Sequence, residues 1–389
     1  MSRFASRLSC RALCTASTDP WLNAEAHKGK VSAAVHASVR DLSLQHGPIG
    51  RLGYGSSKGP GLRALPSTEE ECADFALPAG VVAQYLKDGF ITGVAVLTAD
   101  ECEAAKAEFA RFMNADSPHP GLGLLHEFHR NQTGDVDNVL MHALGHWRAS
   151  ELFHDLVWHP AITVPTAQLL AAQGADHIER HGGTGHDADG GDDDRNVGAS
   201  QSMSAVRFWH DQMFCKPPRH GGNVAWHQDY SYWTRTRAMN HMTVHVAVDA
   251  QTIDNGALNF VPGSHRWTRR VGGRDGEPLP ITAADFTDMD SIMEVLTDDE
   301  KTAFKPVAGL MAAGEASFHH PLCVHGSHGN RSDGFRRAAV VNYCADGTVS
   351  DTDEPLLDGV PAVGKGKPLG SGMSEQQHGH RQSLAQLIF

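Results

Sequence analysis

The 389-residue sequence predicts an α+β, mainly β fold: a double-stranded β-helix (jelly roll) with flanking helices. Three observations predict it. From residue 206 to about 349, apolar residues alternate with polar ones or run in short blocks, separated by the turn signals Lys216-Pro217-Pro218, Asn255-Gly256, Pro262-Gly263 and Ala313-Gly314. Within that stretch Val244, Val246 and Val248 share one face of a strand and Thr243, His245 and Ala247 the other, the two-residue period of a strand with two unlike faces. Before residue 173 apolar residues recur instead at helical spacing.

In chain order, residues 1–18 carry Arg3, Arg7 and Arg11, several Ser and Thr, and no acid before Asp19. That composition fits a mitochondrial or plastid transit peptide, and equally a terminus of chance composition on a cytoplasmic protein. Residues 19–75 are rich in Gly, Ser, Pro and His without periodicity and read as a linker or loosely attached arm. A short helix is expected at 81–87 and a strand at 90–97. Thr98 and Glu101 form a capping-box pattern, and Cys102, Ala105, Phe109 and Phe112 then follow at helical spacing. Helical patterns continue through 139–144 and 151–172, with Pro160 and Pro165 expected to interrupt the second. Residues 174–200, with HGGTGHDADGGDDD at their centre, form an acidic insertion that cannot bury a core; its His177, His181 and His186 read as solvated loop residues. Asn255-Gly256 between strand-like runs signals a hairpin, and 283–305 a helical excursion. One domain is therefore expected over 76–350, followed by a C-terminal extension at 351–389.

Composition narrows the function. The hydrophobic share of 40% supports a sizeable core, and no apolar run is long enough to span a bilayer. A formal net charge of −13 argues against nucleic acid as a partner. Residues 205–275, however, hold more Lys and Arg than Asp and Glu, which suits a small anionic ligand. Seven cysteines without a C-x-x-C pair argue against a disulfide scaffold or a zinc knuckle, and for a reducing, intracellular compartment.

The chemistry concentrates in two segments. In 224–230, read as a strand, His227 and Asp229 stand two residues apart and project to one face. A neutral nitrogen beside a carboxylate supplies two ligands of a 2-His-1-carboxylate triad, the arrangement that leaves positions open on Fe(II). The distant segment 318–327 offers His319, His320 and His325 for the third ligand; His325 ends an apolar run, and small residues follow it. The other two histidines read as packing or supporting groups. Arg336 and Arg337 lie shortly after, and neighbouring strand residues face opposite ways, so only one can point inward to clamp a carboxylate. Tyr230, Tyr232 and Trp233 fit either a pocket wall or the core, and His265 a structural turn. Arg235, Arg237 and the cluster at 266–270 fit an anionic substrate tail or a solvated basic face.

Residues from about 80 to 350 resemble the phytanoyl-CoA dioxygenase family of Fe(II)- and 2-oxoglutarate-dependent oxygenases. The resemblance rests on ordered motifs: Lys216-Pro217-Pro218; Trp226 to Asp229 with Tyr232-Trp233; Asp254-Asn255-Gly256; Pro262-Gly263-Ser264-His265; and His325-Gly326-Ser327 with Asn330, Ser332 and Arg336. It implies a cupin-like double-stranded β-helix and iron held by His227, Asp229 and His325. It implies Arg336 as the clamp for the far carboxylate of 2-oxoglutarate, with Ser327 nearby and Gln212 as a further contact. His245 falls where many members carry Trp against the co-substrate, a departure in the pocket wall. The activity implied is hydroxylation of an unactivated C–H bond with O2, coupled to decarboxylation of 2-oxoglutarate to succinate and CO2. Its substrate is a small organic molecule or an anionic, CoA-linked one. Two other readings stay open: a metal-dependent hydrolase or isomerase on the same barrel, and a catalytically silent binding protein.

Overall fold

The structure, a computed structural model, describes residues 39–369 except 57–58, 63–64, 67, 182–204, 272–273, 282–286 and 358–359. The expected transit peptide, most of the acidic insertion and the end of the C-terminal extension lie outside the described residues.

Two antiparallel sheets organise the fold. Their strands, in chain order, are β1 (Phe90–Ala95), β2 (Glu127–His129), β3 (Met141–Leu144), β4 (Val206–Lys216), β5 (Val224–His227), β6 (His241–Ala247), β7 (Leu258–Phe260), β8 (Val307–Ala308), β9 (Glu315–His319), β10 (His325–Ser327) and β11 (Arg336–Ala345). The larger sheet has the order β1-β9-β6-β11-β4-β3-β2 and the smaller β8-β7-β10-β5. The chain passes repeatedly from one sheet to the other, as a jelly roll does.

The alternation in β6 decides what each face of the large sheet does. Val244 and Val246 join Met213, Ala316, Phe318, Ala339 and Val341 in one apolar face, packed into the same cluster as Phe109, Phe153, Leu169 and Leu170 of the helices. The opposite face is polar and arranged in rows across the strands. His210, Asn342, Thr243 and His319 are register partners in sequence, as are Gln212, Val340, His245 and Ser317. One face thus makes the core and the other looks between the sheets.

The helices follow their signals. Thr98 caps Ala99–Met113 with the reciprocal Glu101 contact, and the helix Ala79–Asp88 ends at Gly89, whose φ of 85° is costly for residues with a Cβ. Several expectations need correction. Residues 139–144 contain strand β3, not a helix; a continuous apolar run fits either, and pairing with β2 and β4 on both sides decides it. Pro160 begins the helix Pro160–His181, and Pro165 lies inside it without ending it. The lost hydrogen bond is offset by burial of Ile162, Val164, Leu169 and Leu170. That helix also carries the chain beyond residue 174, and Gln173 is buried, accepting a hydrogen bond from the Tyr85 hydroxyl at 2.7 Å. Asn255-Gly256 makes a turn but no hairpin, because β6 and β7 belong to different sheets.

The segment expected as a loose arm is docked over part of its length. Leu42 and Leu52 are buried. Asp155 accepts backbone N–H groups from Ile49, Gly50, Arg51 and Leu52. The excursion expected at 283–305 is two short helical pieces, Ser291–Glu294 and Asp298–Ala303. Its Ile292 and Leu296 pack with Trp226 and Val324 against the small sheet. Among the described residues no helix is long and apolar enough to cross a membrane.

Candidate metal centre and co-substrate site

β5 ends at His227, and the chain turns at once into the 3-10 segment Asp229–Tyr232, so Asp229 is not a strand residue. It still lies on the side of His227 because Gln228 between them is locked the other way. The Gln228 side chain donates to the carbonyls of Leu322 (2.8 Å) and Trp267 (3.1 Å) and accepts the Leu279 N–H (2.7 Å). β10 runs antiparallel to β5 and sets His325 directly opposite His227, with ring centroids 4.2 Å apart. One donor atom from each of His227, Asp229 and His325 lies within 4.8 Å of the others, in the single such group among the described residues.

The hydrogen bonds fix which atoms are offered. His227 Nδ1 lies 2.8 Å from the carbonyl oxygen of Ala225, and His325 Nδ1 lies 3.0 Å from that of Cys323. A carbonyl oxygen only accepts, so each Nδ1 carries the proton and each Nε2 keeps its lone pair for a metal. Asp229 is held through its second oxygen: Oδ2 accepts from the Thr243 hydroxyl at 2.6 Å and from His319 Nε2 at 3.1 Å, while Oδ1 faces His227 Nε2 at 3.4 Å and His325 Nε2 at 3.6 Å. Both supporting groups come from one row of the polar face. Burial works against the Asp229 charge, but His325, His227 and His319 outweigh it and hold the carboxyl well below its usual range. Burial, then the neighbouring His227, push the His325 imidazole well below its ordinary value. Burial works against a charge on His227, but the hydrogen bond and charge of Asp229 raise its imidazole. Two imidazole nitrogens and a carboxylate oxygen are the donor types that Fe(II) takes. Of the three histidines in the second segment, His325 is thus the candidate ligand. His319 braces the carboxylate, and His320 Nδ1 accepts the Leu322 N–H at 3.0 Å.

Arg336 opens β11 and is buried; Arg337 faces away, giving Nε and Nη2 to Asp249 at 2.8 Å each. The Arg336 guanidinium donates through Nε to Gln251 Oε1 at 2.8 Å, and its Nη2 is buried with no protein acceptor. Burial lowers its pKa to about 10, where it is still a cation at neutral pH. A buried guanidinium with an unmatched donor fits a carboxylate from outside the chain. Beside it, Lys216 Nζ bonds Ser327 Oγ at 2.7 Å and the carbonyls of Ser327 (3.3 Å) and His328 (2.5 Å). Burial, then Arg336, push this ammonium well below its ordinary range. Ser327 is therefore tied to Lys216 first. His245 is buried, its imidazole depressed by burial and by Arg336. Gln212 lines a cavity of about 330 Å³ that reaches His227 and Asp229. Arg336, Ser327 and His245 are not among the residues lining it.

Tyr230 is core, whereas Tyr232 and Trp233 line the cavity. The basic residues that fit either an anionic tail or a solvated basic face are engaged with the protein. Arg237 pairs with Glu277 and Asp351, Arg269 with Glu300, and Arg266 bonds the Leu86 carbonyl. Thr243, Gln228 and Gln251 escaped the sequence reading as site residues. Only Thr243 left a signal, being on the face opposite the valines.

The family model for phytanoyl-CoA dioxygenase matches residues 85–338. The chain belongs to the phytanoyl-CoA dioxygenase family. Among curated relatives, it is 27% identical over 143 residues to a probable alpha-ketoglutarate-dependent hypophosphite dioxygenase of Stutzerimonas stutzeri, covering 36% of this chain and 46% of that protein. It is 26% identical over 145 residues to the peroxisomal phytanoyl-CoA dioxygenase of Bos taurus, covering 36% and 39%. The matches thus span less than half the length of these relatives. Among solved structures, the alpha ketoglutarate dependent carbocyclase SnoK from nogalamycin biosynthesis is similar at a TM-score of 0.51 and 19% identity, over 72% of this chain and 96% of that one. The epimerase SnoN, in complex with Fe3+, alpha ketoglutarate and nogalamycin RO, has a TM-score of 0.52 and 19% identity, over 75% and 94%. These likenesses show that the phytanoyl-CoA dioxygenase family member has the jelly-roll fold of non-heme oxygenases.

Proposed function

We propose that the protein is an Fe(II)- and 2-oxoglutarate-dependent dioxygenase that hydroxylates an unactivated C–H bond of a small organic molecule. The observation that carries this reading is the pairing of two features. His227 and His325 offer Nε2 beside Asp229, and a buried Arg336 nearby has a donor that no protein atom satisfies. Family membership supports the same activity.

In this reading His227 Nε2, His325 Nε2 and an Asp229 oxygen hold ferrous iron, and Ser327, Gln212 and His245 flank the co-substrate that Arg336 clamps. Iron supplies the O2 chemistry that couples decarboxylation of 2-oxoglutarate to oxidation of the substrate. The protein's part is orientation and exclusion of water. Thr243 and His319 stop Asp229 from rotating, and Arg336, anchored by Gln251, fixes one end of 2-oxoglutarate. Of the two substrate classes, the cavity favours the compact organic one over a CoA thioester. Arg235 is the single Lys or Arg lining it, and that guanidinium already bonds backbone carbonyls.

The test is succinate release by purified ferrous protein across a metabolite panel. His227→Ala and Asp229→Ala should abolish substrate-triggered release while the fold, read by circular dichroism, persists. Full turnover by either variant overturns the assignment. A hydrolase or isomerase would turn over without consuming oxygen, so oxygen uptake separates that reading.

A further inference from the structure

Part of the cavity's lining comes from a segment that belongs to neither sheet. Leu356 and Leu357, from the segment after β11, line the cavity together with His227 and Asp229. That segment returns across the molecule: Val349 and Ser350 pair with Arg237 and Thr236, and the Asp351 N–H donates to the Arg235 carbonyl at 2.8 Å. Arg235 then reaches forward along it, with Nη1 donating to the Pro355 carbonyl at 2.9 Å and Nη2 to the Leu356 carbonyl at 2.8 Å. Leu356 packs with Cys344, Leu369 and Trp209. Arg235 also stands a few residues beyond Asp229, so the loop that presents the carboxylate also holds the wall.

We propose that Arg235 is a positioning residue that latches the 355–357 strap over the cavity, and that Leu356 and Leu357 set the size and polarity of the substrate. The planar fork of arginine can give parallel donors to two successive carbonyls, whereas lysine offers a point charge without that geometry. The proposal rests on the reading of the cavity as the oxygenase's substrate site. A latched apolar wall keeps water from the reacting C–H bond and admits compact apolar substrates. With the latch gone, part of the co-substrate turnover should uncouple from substrate oxidation, the unused oxidising equivalent being reduced by ascorbate supplied in the assay.

The test uses the full chain. Hydrogen–deuterium exchange of Arg235→Ala should show amides at 351–357 exchanging about tenfold or more faster, as expected from losing charge-assisted hydrogen bonds, with β4, β6 and β11 unchanged. Arg235→Lys should restore part of the protection. With a substrate found by succinate release, Arg235→Ala should raise its KM more than it lowers kcat, and should raise the share of succinate formed without product. Wild-type exchange at 351–357 in Arg235→Ala overturns the latch whatever the activity. Faster exchange with KM and coupling unchanged overturns the role of the wall. Should Arg235→Ala fail to fold, Leu357→Ala and Leu357→Trp replace it, expected to move the accepted substrate size in opposite directions; identical substrate profiles overturn the proposal. Failure of the oxygenase reading itself would show separately, as wild-type protein that forms no succinate while the exchange result stands.

Discussion

Arg336 and Arg337 differ in what meets them: Asp249 satisfies Arg337 twice, whereas Arg336 keeps a buried Nη2 without a protein acceptor. Truncating Arg336 therefore removes the partner of an incoming carboxylate, while truncating Arg337 breaks a partly exposed pair. Arg336→Leu is expected to raise the KM for 2-oxoglutarate on the order of a hundredfold, from charge-assisted bonds of about 1.5–3 kcal/mol each. Arg337→Leu should leave it near the wild-type value. Steady-state succinate assays at varied 2-oxoglutarate decide it, and the reverse order would make Arg337 the clamp. Asp229 gives a second prediction at this scale. Thr243 and His319 hold its Oδ2 and so aim Oδ1 at the two imidazoles. Thr243→Val should weaken binding of Fe(II), or of Mn(II) as a redox-quiet probe, about 10- to 100-fold, the usual effect of losing a group that orients a ligand. A titration giving wild-type affinity would mean that Asp229 is fixed by something else.

At the scale of elements, the docked segment around residues 49–52 has a feature that no sequence pattern announces. Four consecutive backbone N–H groups converge on the buried Asp155, and Arg148 pairs with Asp41 close by. Asp155→Ala should release this segment at a cost of about 1–3 kcal/mol in stability, the scale of buried hydrogen-bonding groups left unpaired. Limited proteolysis should then cut between 39 and 56 while the barrel stays whole; unchanged protection would show that Leu42 and Leu52 hold the segment alone. This element marks the boundary of what was legible. The two faces of β6 could be read because side chains alternate across a strand, so valines and polar residues separate in the sequence itself. His227, Asp229, His325 and Arg336 were legible because metal and carboxylate chemistry restricts residue types. The docking at Asp155 was not, because backbone N–H groups carry no residue identity. β3 was misread because 139–144 is apolar throughout and lacks a period. The missing hairpin at Asn255-Gly256 reflects a local turn signal that cannot say which sheet the next strand joins. Lys216 lies in the Lys216-Pro217-Pro218 motif, but its burial beside Arg336, Ser327 and His328 depends on contacts distant in the chain.

Over the whole molecule, the candidate ligands connect strands of the small sheet that are distant in the chain, with Asp229 braced from the large one. A metal bound there would bind the native state far better than the unfolded chain, where His227 and His325 are not neighbours. At a free concentration about 100 times Kd, such binding contributes about 2.7 kcal/mol to stability. For a domain of this size that corresponds to a rise in Tm of about 4–5 °C. Mn(II) added to metal-free protein should therefore raise Tm in the wild type and not in His325→Ala. In Arg336→Leu the shift should persist, because that residue faces the co-substrate and not the metal. Adding 2-oxoglutarate after Mn(II) should raise Tm again in the wild type and fail to do so in Arg336→Leu. The order of these shifts distinguishes a metal site with its own anion clamp from a cluster of histidines that binds metal without function. A second shift that survives Arg336→Leu would remove the clamp from the argument, and the absence of any first shift in the wild type would remove the metal centre.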